Sequence, residues 1–204
     1  MKKLTLVLIL VFSSLISYAQ LNVKYGLKSG INYSSFGDLT FVGGFAGSNN
    51  TTAQSEIAYV IGVITELKIN KFILNSELLF QQSKSSYNHF EYKVSSLELP
   101  LLAGYTIIKP FIFYIGPSIK YILDDELVGL FDSDDFGVAN KMILKANIGV
   151  AAQLYKFKVD LRYSFDVTNS NASYYPIQPQ FIGQGYQLDA SSKQFILSVS
   201  YFIN

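Results

Sequence analysis

The end of the chain constrains it most. From Lys193 to Ile203, Phe195, Leu197, Val199, Tyr201 and Ile203 alternate with Gln194, Ile196, Ser198, Ser200 and Phe202. A period of two gives a strand one unbroken apolar face and one face that is mostly small or polar. The apolar face must lie against a protein core or against lipid. In lipid an open sheet edge would leave amide groups without partners, so the strand would have to belong to a closed barrel.

The same alternation recurs upstream. Val23, Tyr25, Leu27, Ile31 and Tyr33 oppose Lys24, Gly26, Lys28, Gly30 and Asn32, and Ile57, Tyr59, Ile61, Val63 and Leu67 oppose Ala58, Val60, Gly62, Ile64 and Glu66. Phe72, Leu74, Leu78 and Phe80 face away from Asn75, Glu77 and Gln81; Leu97, Leu99, Leu101, Ala103 and Tyr105 face away from Ser96, Glu98, Pro100 and Gly104. Phe111, Phe113, Ile115, Ile119 and Tyr121 then oppose Tyr114, Gly116, Ser118 and Lys120. A sixth strand sets Met142, Leu144, Ala146, Ile148, Val150, Ala152 and Leu154 against Lys145, Asn147, Gly149, Ala151 and Gln153. The seventh sets Val159, Leu161, Tyr163, Phe165 and Val167 against Lys158, Asp160, Arg162, Ser164 and Asp166. Charges on the second face would be costly in a dry protein core and are ordinary in a polar barrel lumen. A soluble lipocalin-like barrel inverts the faces and makes the same charges its solvated exterior.

The reading is therefore all-β: an eight-stranded antiparallel up-and-down transmembrane barrel. Its connections alternate. Ser34 to Ser55, rich in Gly, Asn, Ser and Thr, reads as a long flexible loop; Gln82 to Phe90 is a polar connection with the only histidine, His89; Leu123 to Asn140 is acidic; Thr168 to Ser192 is rich in Asn, Ser, Gln, Tyr and Pro. Between them fall short turns at Lys68-Ile69-Asn70-Lys71, Lys109-Pro110 and Tyr155 to Phe157. Short turns on one rim and long loops on the other are the pattern of outer-membrane barrels, with the short rim and both chain ends periplasmic. Pro100 removes a ladder donor, so a bulge or a broken ladder is expected there, and Pro117 invites the same expectation.

Residues 1–19 read as a secretory signal, with Lys2 and Lys3 before the apolar run Leu4 to Ile16 and a small-residue end at Ala19; residues 20–204 are then the barrel domain. A near-neutral balance of +1 excludes the clustered basic surplus of a nucleic-acid binder, and the absence of Cys excludes disulfides and thiolate metal sites.

Four stretches resemble a known family. Tyr25-Gly26-Leu27-Lys28-Ser29-Gly30-Ile31-Asn32, Ser76-Glu77-Leu78-Leu79-Phe80, Leu97-Glu98-Leu99-Pro100-Leu101-Leu102 and Leu161-Arg162-Tyr163-Ser164 look like the small PorT-like outer-membrane barrels of Bacteroidetes-type bacteria. The resemblance covers nearly the whole chain after residue 19 and rests on diffuse structural motifs. It implies an outer-membrane barrel, and its namesake is associated with a protein secretion and gliding system.

No residue set points to catalysis, a cofactor or a metal. His89 reads as a solvated loop histidine; Asp132-Ser133-Asp134-Asp135 offers hard oxygen ligands to calcium but lacks the spacing and terminal Glu of a calcium loop, and reads as a solvated acidic loop with calcium binding as the alternative. The inward charges are more informative. Glu66, Glu77 and Glu98 lie on strands two to four, and Lys120, Lys145 and Arg162 on strands five to seven, so opposite signs are expected to pair across a narrow lumen as an ionic core. A proton or ion path is the rival reading of the same residues. The function expected is a non-enzymatic barrel embedded in outer-membrane lipid, whose extracellular loops carry any protein partner. The alternatives are a secretion component, a small-solute channel and a soluble lipid carrier.

Overall fold

In a computed structural model of the chain the described residues are 22–36, 39–43, 47–51, 54–87, 90–128, 137–138, 141–168, 171–174, 185–189 and 191–203. Residues 1–19, read above as a secretory signal, His89 and the acidic stretch Asp132 to Asp135 lie outside them. Along the chain run β1 Asn22–Phe36, β2 Leu39–Gly43, β3 Gly47–Thr51, β4 Gln54–Ile69, β5 Phe72–Tyr87, β6 Phe90–Ile108 and β7 Phe111–Val128. They are followed by β8 Gly137–Val138, β9 Met142–Leu154, β10 Phe157–Asp166, β11 Asn171–Tyr174, β12 Gly185–Asp189 and β13 Ser192–Phe202.

Eight of these strands close a barrel in the order β1-β13-β10-β9-β7-β6-β5-β4, every neighbour antiparallel. Closure is staggered. A circuit of ladder partners that leaves β1 at Val23 passes Leu67, Leu74, Ala103, Ile115, Ile148, Tyr163 and Phe195 and returns to β1 at Tyr33. That displacement along one strand obliges the strands to tilt, by about 35–45° for barrels of this kind.

The period-two reading holds on every wall. β13 exposes Phe195, Leu197, Val199 and Tyr201 and buries Gln194, Ile196, Ser198, Ser200 and Phe202. Aromatic side chains form an outer girdle at each end of the aliphatic band. Phe72 meets Tyr105 at 5.2 Å and Phe157 meets Tyr201 at 5.2 Å near the short turns, while Tyr163 meets Phe195 at 4.8 Å and Tyr59 meets Phe80 at 6.2 Å near the other end. Between the girdles Val63, Leu101, Ile115, Val150, Leu161 and Leu197 are exposed. An apolar belt bounded by aromatics matches a lipid bilayer and its two interfaces. Among the described residues no helix is long and apolar enough to cross a membrane, and the crossing is made by strands.

Pro100 breaks the ladder without shifting it. The β5–β6 pairs pass from Ser76–Leu101 to Leu79–Glu98, and the β6–β7 pairs pass from Pro100–Ser118 to Ala103–Ile115 opposite Pro117. The register shifts fall elsewhere, at Ser95/Ser96 and Thr106/Ile108 between β6 and β7 and at Ser55/Val60 between β4 and β5.

The long connections differ from the loops expected. β5 runs to Tyr87 and β6 begins at Phe90, so Gln82 to Phe90 continues a hairpin whose last pair is Tyr87–Phe90. Within Ser34 to Ser55 and Thr168 to Ser192 lie β2, β3, β11 and β12, which join β8 in a second sheet of order β3-β2-β12-β11-β8. Three separate connections thus pair with one another on the long-connection side of the barrel. Polar segments have no lipid face and hence no alternation to betray them, but their backbone groups still need partners.

A charge on the belt tests which side is oily. Leu161→Arg, at the middle of β10, is expected to lower stability in a bilayer by about 2–4 kcal/mol, and Arg at Tyr155 in the turn by about 0–1 kcal/mol. Unfolding titrations in lipid vesicles measure both, and equal effects would contradict the belt.

Candidate functional site

The narrow interior is the chemically distinctive region. Alternation delivers to it Lys28 from β1, Glu66 from β4, Glu77 from β5, Glu98 from β6, Lys120 from β7, Lys145 from β9, and Lys158, Asp160 and Arg162 from β10, all buried. The Asp166 side chain is buried as well. Positive and negative groups are matched in number among these residues. Eight strands enclose a space that side chains can just fill.

The central contact lies between Glu77 and Arg162. Nη2 of Arg162 donates to both carboxylate oxygens at 2.9 Å, and Lys28 Nζ donates to the same carboxylate at 3.1 Å. Lys28 also donates to Asp160 at 2.5 Å, and the Tyr114 hydroxyl donates to the other oxygen of Asp160 at 3.0 Å. The Arg162 guanidinium stands 5.5 Å from the Tyr114 ring centroid, a cation–π distance. Five side chains from β1, β5, β7 and β10 thus cross-link the barrel through its axis.

Gly149 makes room for this cluster. It pairs with Tyr114 on one side and Arg162 on the other, the two bulkiest members. A Cβ there would stand 2.6 Å from the Tyr114 ring and hydroxyl and 2.7 Å from the Leu161 carbonyl oxygen.

Of the six charges singled out from the sequence, the structure joins Glu77 to Arg162 directly across the lumen. Glu66 instead receives Lys158 at 3.0 Å. Lys145 pairs at 3.2 Å with Asp166, its ladder partner on the adjacent strand. Glu98 accepts from Gln81 and Ser118, each at 2.5 Å, and Ser118 in turn accepts from Asn147 at 2.9 Å. Lys120 is the ladder partner of Glu98 on the neighbouring strand, so this pair sits side by side and not wall to wall. Sequence reasoning passed over Lys28, Tyr114, Lys158, Asp160 and Asp166 as partners. Each lies on the inward parity of its strand, so taking every inward ionisable group would have found them.

Apolar layers flank the charges. Ile73, Leu102, Ile112, Tyr114 and Ala151 cluster toward the short turns, and Val60, Leu79 and Ile196 form a second cluster. Among the described residues no group of His, Cys, Asp and Glu could hold a metal ion. The arrangement is suited to holding walls together.

A family model described as outer membrane protein beta-barrel domain matches residues 18–171. No curated protein matches the chain. Among solved structures, the outer membrane protein OprG from Pseudomonas aeruginosa is similar at a TM-score of 0.58 and 13% identity, covering 89% of this chain and 96% of that one. Neisserial surface protein A aligns at a TM-score of 0.48 and 10% identity, over 89% of this chain and 97% of that one. The likeness to OprG is one of fold.

Truncating the centre should expose how much it carries. Arg162→Ala leaves Glu77 and Asp160 short of a cation and is expected to cost about 3–5 kcal/mol where the site stays dry. Gly149→Ala forces Tyr114 aside and is expected to cost about 1–3 kcal/mol. Urea unfolding in lipid, followed by the loss of fast migration of the unboiled barrel on gels, measures both.

Proposed function

Since this chain belongs to the outer membrane protein beta-barrel domain family, we propose that it is a non-enzymatic envelope barrel that binds a protein partner outside the cell through the sheet of its long connections. One observation carries the reading: β2, β3, β8, β11 and β12, drawn from three connections, form one shared sheet whose outermost strands among the described residues are β3 and β8. An unpaired strand edge is a ready template for a further strand, and adding one is a common mode of peptide recognition. Long connections lie on the extracellular side in outer-membrane barrels.

The packed lumen supports a scaffold over a small-solute channel. Its inward side chains are buried and its charges are cross-linked along the axis. The resemblance to PorT-like barrels suggests a finer role, that the partner belongs to a protein secretion apparatus. Crosslinking in intact cells discriminates: secretion-machinery proteins at the sheet favour this role, and other surface proteins favour adhesion or envelope support.

Two outcomes are expected. Planar-bilayer recordings of the purified barrel show no steady porin-like conductance. Replacing residues 39–51 with a short Gly-Ser linker abolishes partner crosslinking and leaves heat-modifiable migration intact; capture that survives the replacement would count against the sheet as the binding surface.

A further inference from the structure

The opposite rim holds a second feature that the partner-binding reading leaves unused. A cleft of about 510 Å³ opens at the short-turn mouth, lined in part by Lys24, Lys68, Thr106, Lys109, Gln153 and Tyr155. Lys24, Lys68, Thr106 and Gln153 belong to the inward register of β1, β4, β6 and β9, so the cleft is the lower end of the lumen itself. Ile112 also lines it and belongs to the apolar cluster with Ile73, Leu102, Tyr114 and Ala151, which closes the lumen above. The cleft is therefore blind.

Its chemistry is one-sided. Three lysines converge on it, and among the described residues no carboxylate lines it. Glu66, the nearest acid along β4 and the ladder partner of Lys24, is buried below the cleft and engaged through Oε2 by Lys158, its Oε1 having no hydrogen-bond partner. Two polar atoms of the lining are without partners: the Thr106 hydroxyl, on a side chain 7% exposed, and the Gln153 amide nitrogen. Buried donors without acceptors cost about 1–3 kcal/mol each and are normally satisfied. Their backbones are fixed, Thr106 N–H donating to the Lys71 carbonyl at 2.8 Å and Gln153 N–H to the Pro110 carbonyl at 3.0 Å. The mouth thus holds two neutral donors on fixed backbones, closed to solvent beneath a cationic ring, so that a compact, multiply accepting anion that parts the side chains over them gains two hydrogen bonds. Lysines that only snorkelled toward the membrane interface would not need inward-facing donors beneath them.

We propose that this cleft is an anion site that takes a phosphate group, from either a phospholipid headgroup or a soluble phosphate ester. The lysines supply attraction at the periplasmic face, and Thr106 and Gln153 supply the hydrogen bonds that fix the oxygens. The site is independent of the partner sheet.

The test uses the full barrel in uncharged alkyl maltoside micelles, which contain no phosphate. Glycerol 3-phosphate and dihexanoyl phosphatidylglycerol are titrated separately while the Gln153 side-chain amide is followed by NMR. A saturable shift with glycerol 3-phosphate supports a soluble ligand, and one with the lipid alone supports a headgroup. Thr106→Val, nearly isosteric, is expected to weaken binding about tenfold, the loss of one hydrogen bond to a charged group. Lys24→Gln with Lys68→Gln and Lys109→Gln is expected to abolish it, and Lys71→Gln with Lys156→Gln, on the same rim outside the cleft, to leave it unchanged. The proposal is overturned if neither probe shifts Gln153, or if Thr106→Val binds as the wild type does and the two lysine sets act alike. Heat-modifiable migration of each variant verifies that the barrel is intact.

Discussion

Backbone hydrogen bonding in a medium without water governs this structure. A strand bordered by hydrocarbon must pair on both edges, and the only sheet without edges is a closed one. The requirement falls on the contact between β1 and β13, the earliest and latest strands of the ring, which pair from Gly26–Phe202 to Phe36–Ser192. That seam is tight. A Cβ at Gly30 would lie 2.3 Å from the Leu197 carbonyl oxygen, so a side chain there would push apart the two strands that close the ring. Closure thus brings together parts of the chain that no local interaction joins, and the barrel forms as a unit or not at all.

Closure with eight strands then dictates the interior. The space is too small for a water channel and too large to stay empty, so side chains must fill it. Paired charges gain little over well-packed apolar residues as filling, because burial costs them most of what their attraction returns. Their value here is in register. A one-residue slip of β10 would move Lys158, Asp160 and Arg162 into lipid and Val159 and Leu161 into the lumen, and every neighbouring strand would resist it. An apolar interior would make both faces alike and remove that penalty.

This is also why the wall was legible in the sequence and the contacts were not. Lipid on one side and charge on the other force strict alternation, which reveals each strand and the direction of each side chain. Partnership depends on the stagger of closure, which no single strand encodes. Glu66 on β4 meets Lys158 on β10, across the ring and far along the chain, while Lys145 and Glu98 find their neighbours one strand away. The second sheet was illegible for a related reason. Residues such as Gly47–Thr51 are polar on both faces, and their Gly, Ser and Asn content is that of a loop. Only pairing between distant connections makes them strands.

The two rims are chemically unlike, and the filled lumen keeps them separate. Glu56 and Glu91 bind Lys84 beyond the aromatic girdle on one side, with Asp124 and Glu126 exposed nearby on β7. The short-turn side carries Lys24, Lys68, Lys71, Lys109 and Lys156. Between the two rims stands a cross-linked cluster in which Lys28, Glu77, Asp160 and Arg162 tie β1, β5 and β10 together. Strands locked at their midpoints transmit little relative motion from one end to the other. The same ionic core that fixes the register therefore stands between two rims of different chemistry, one on each side of the membrane.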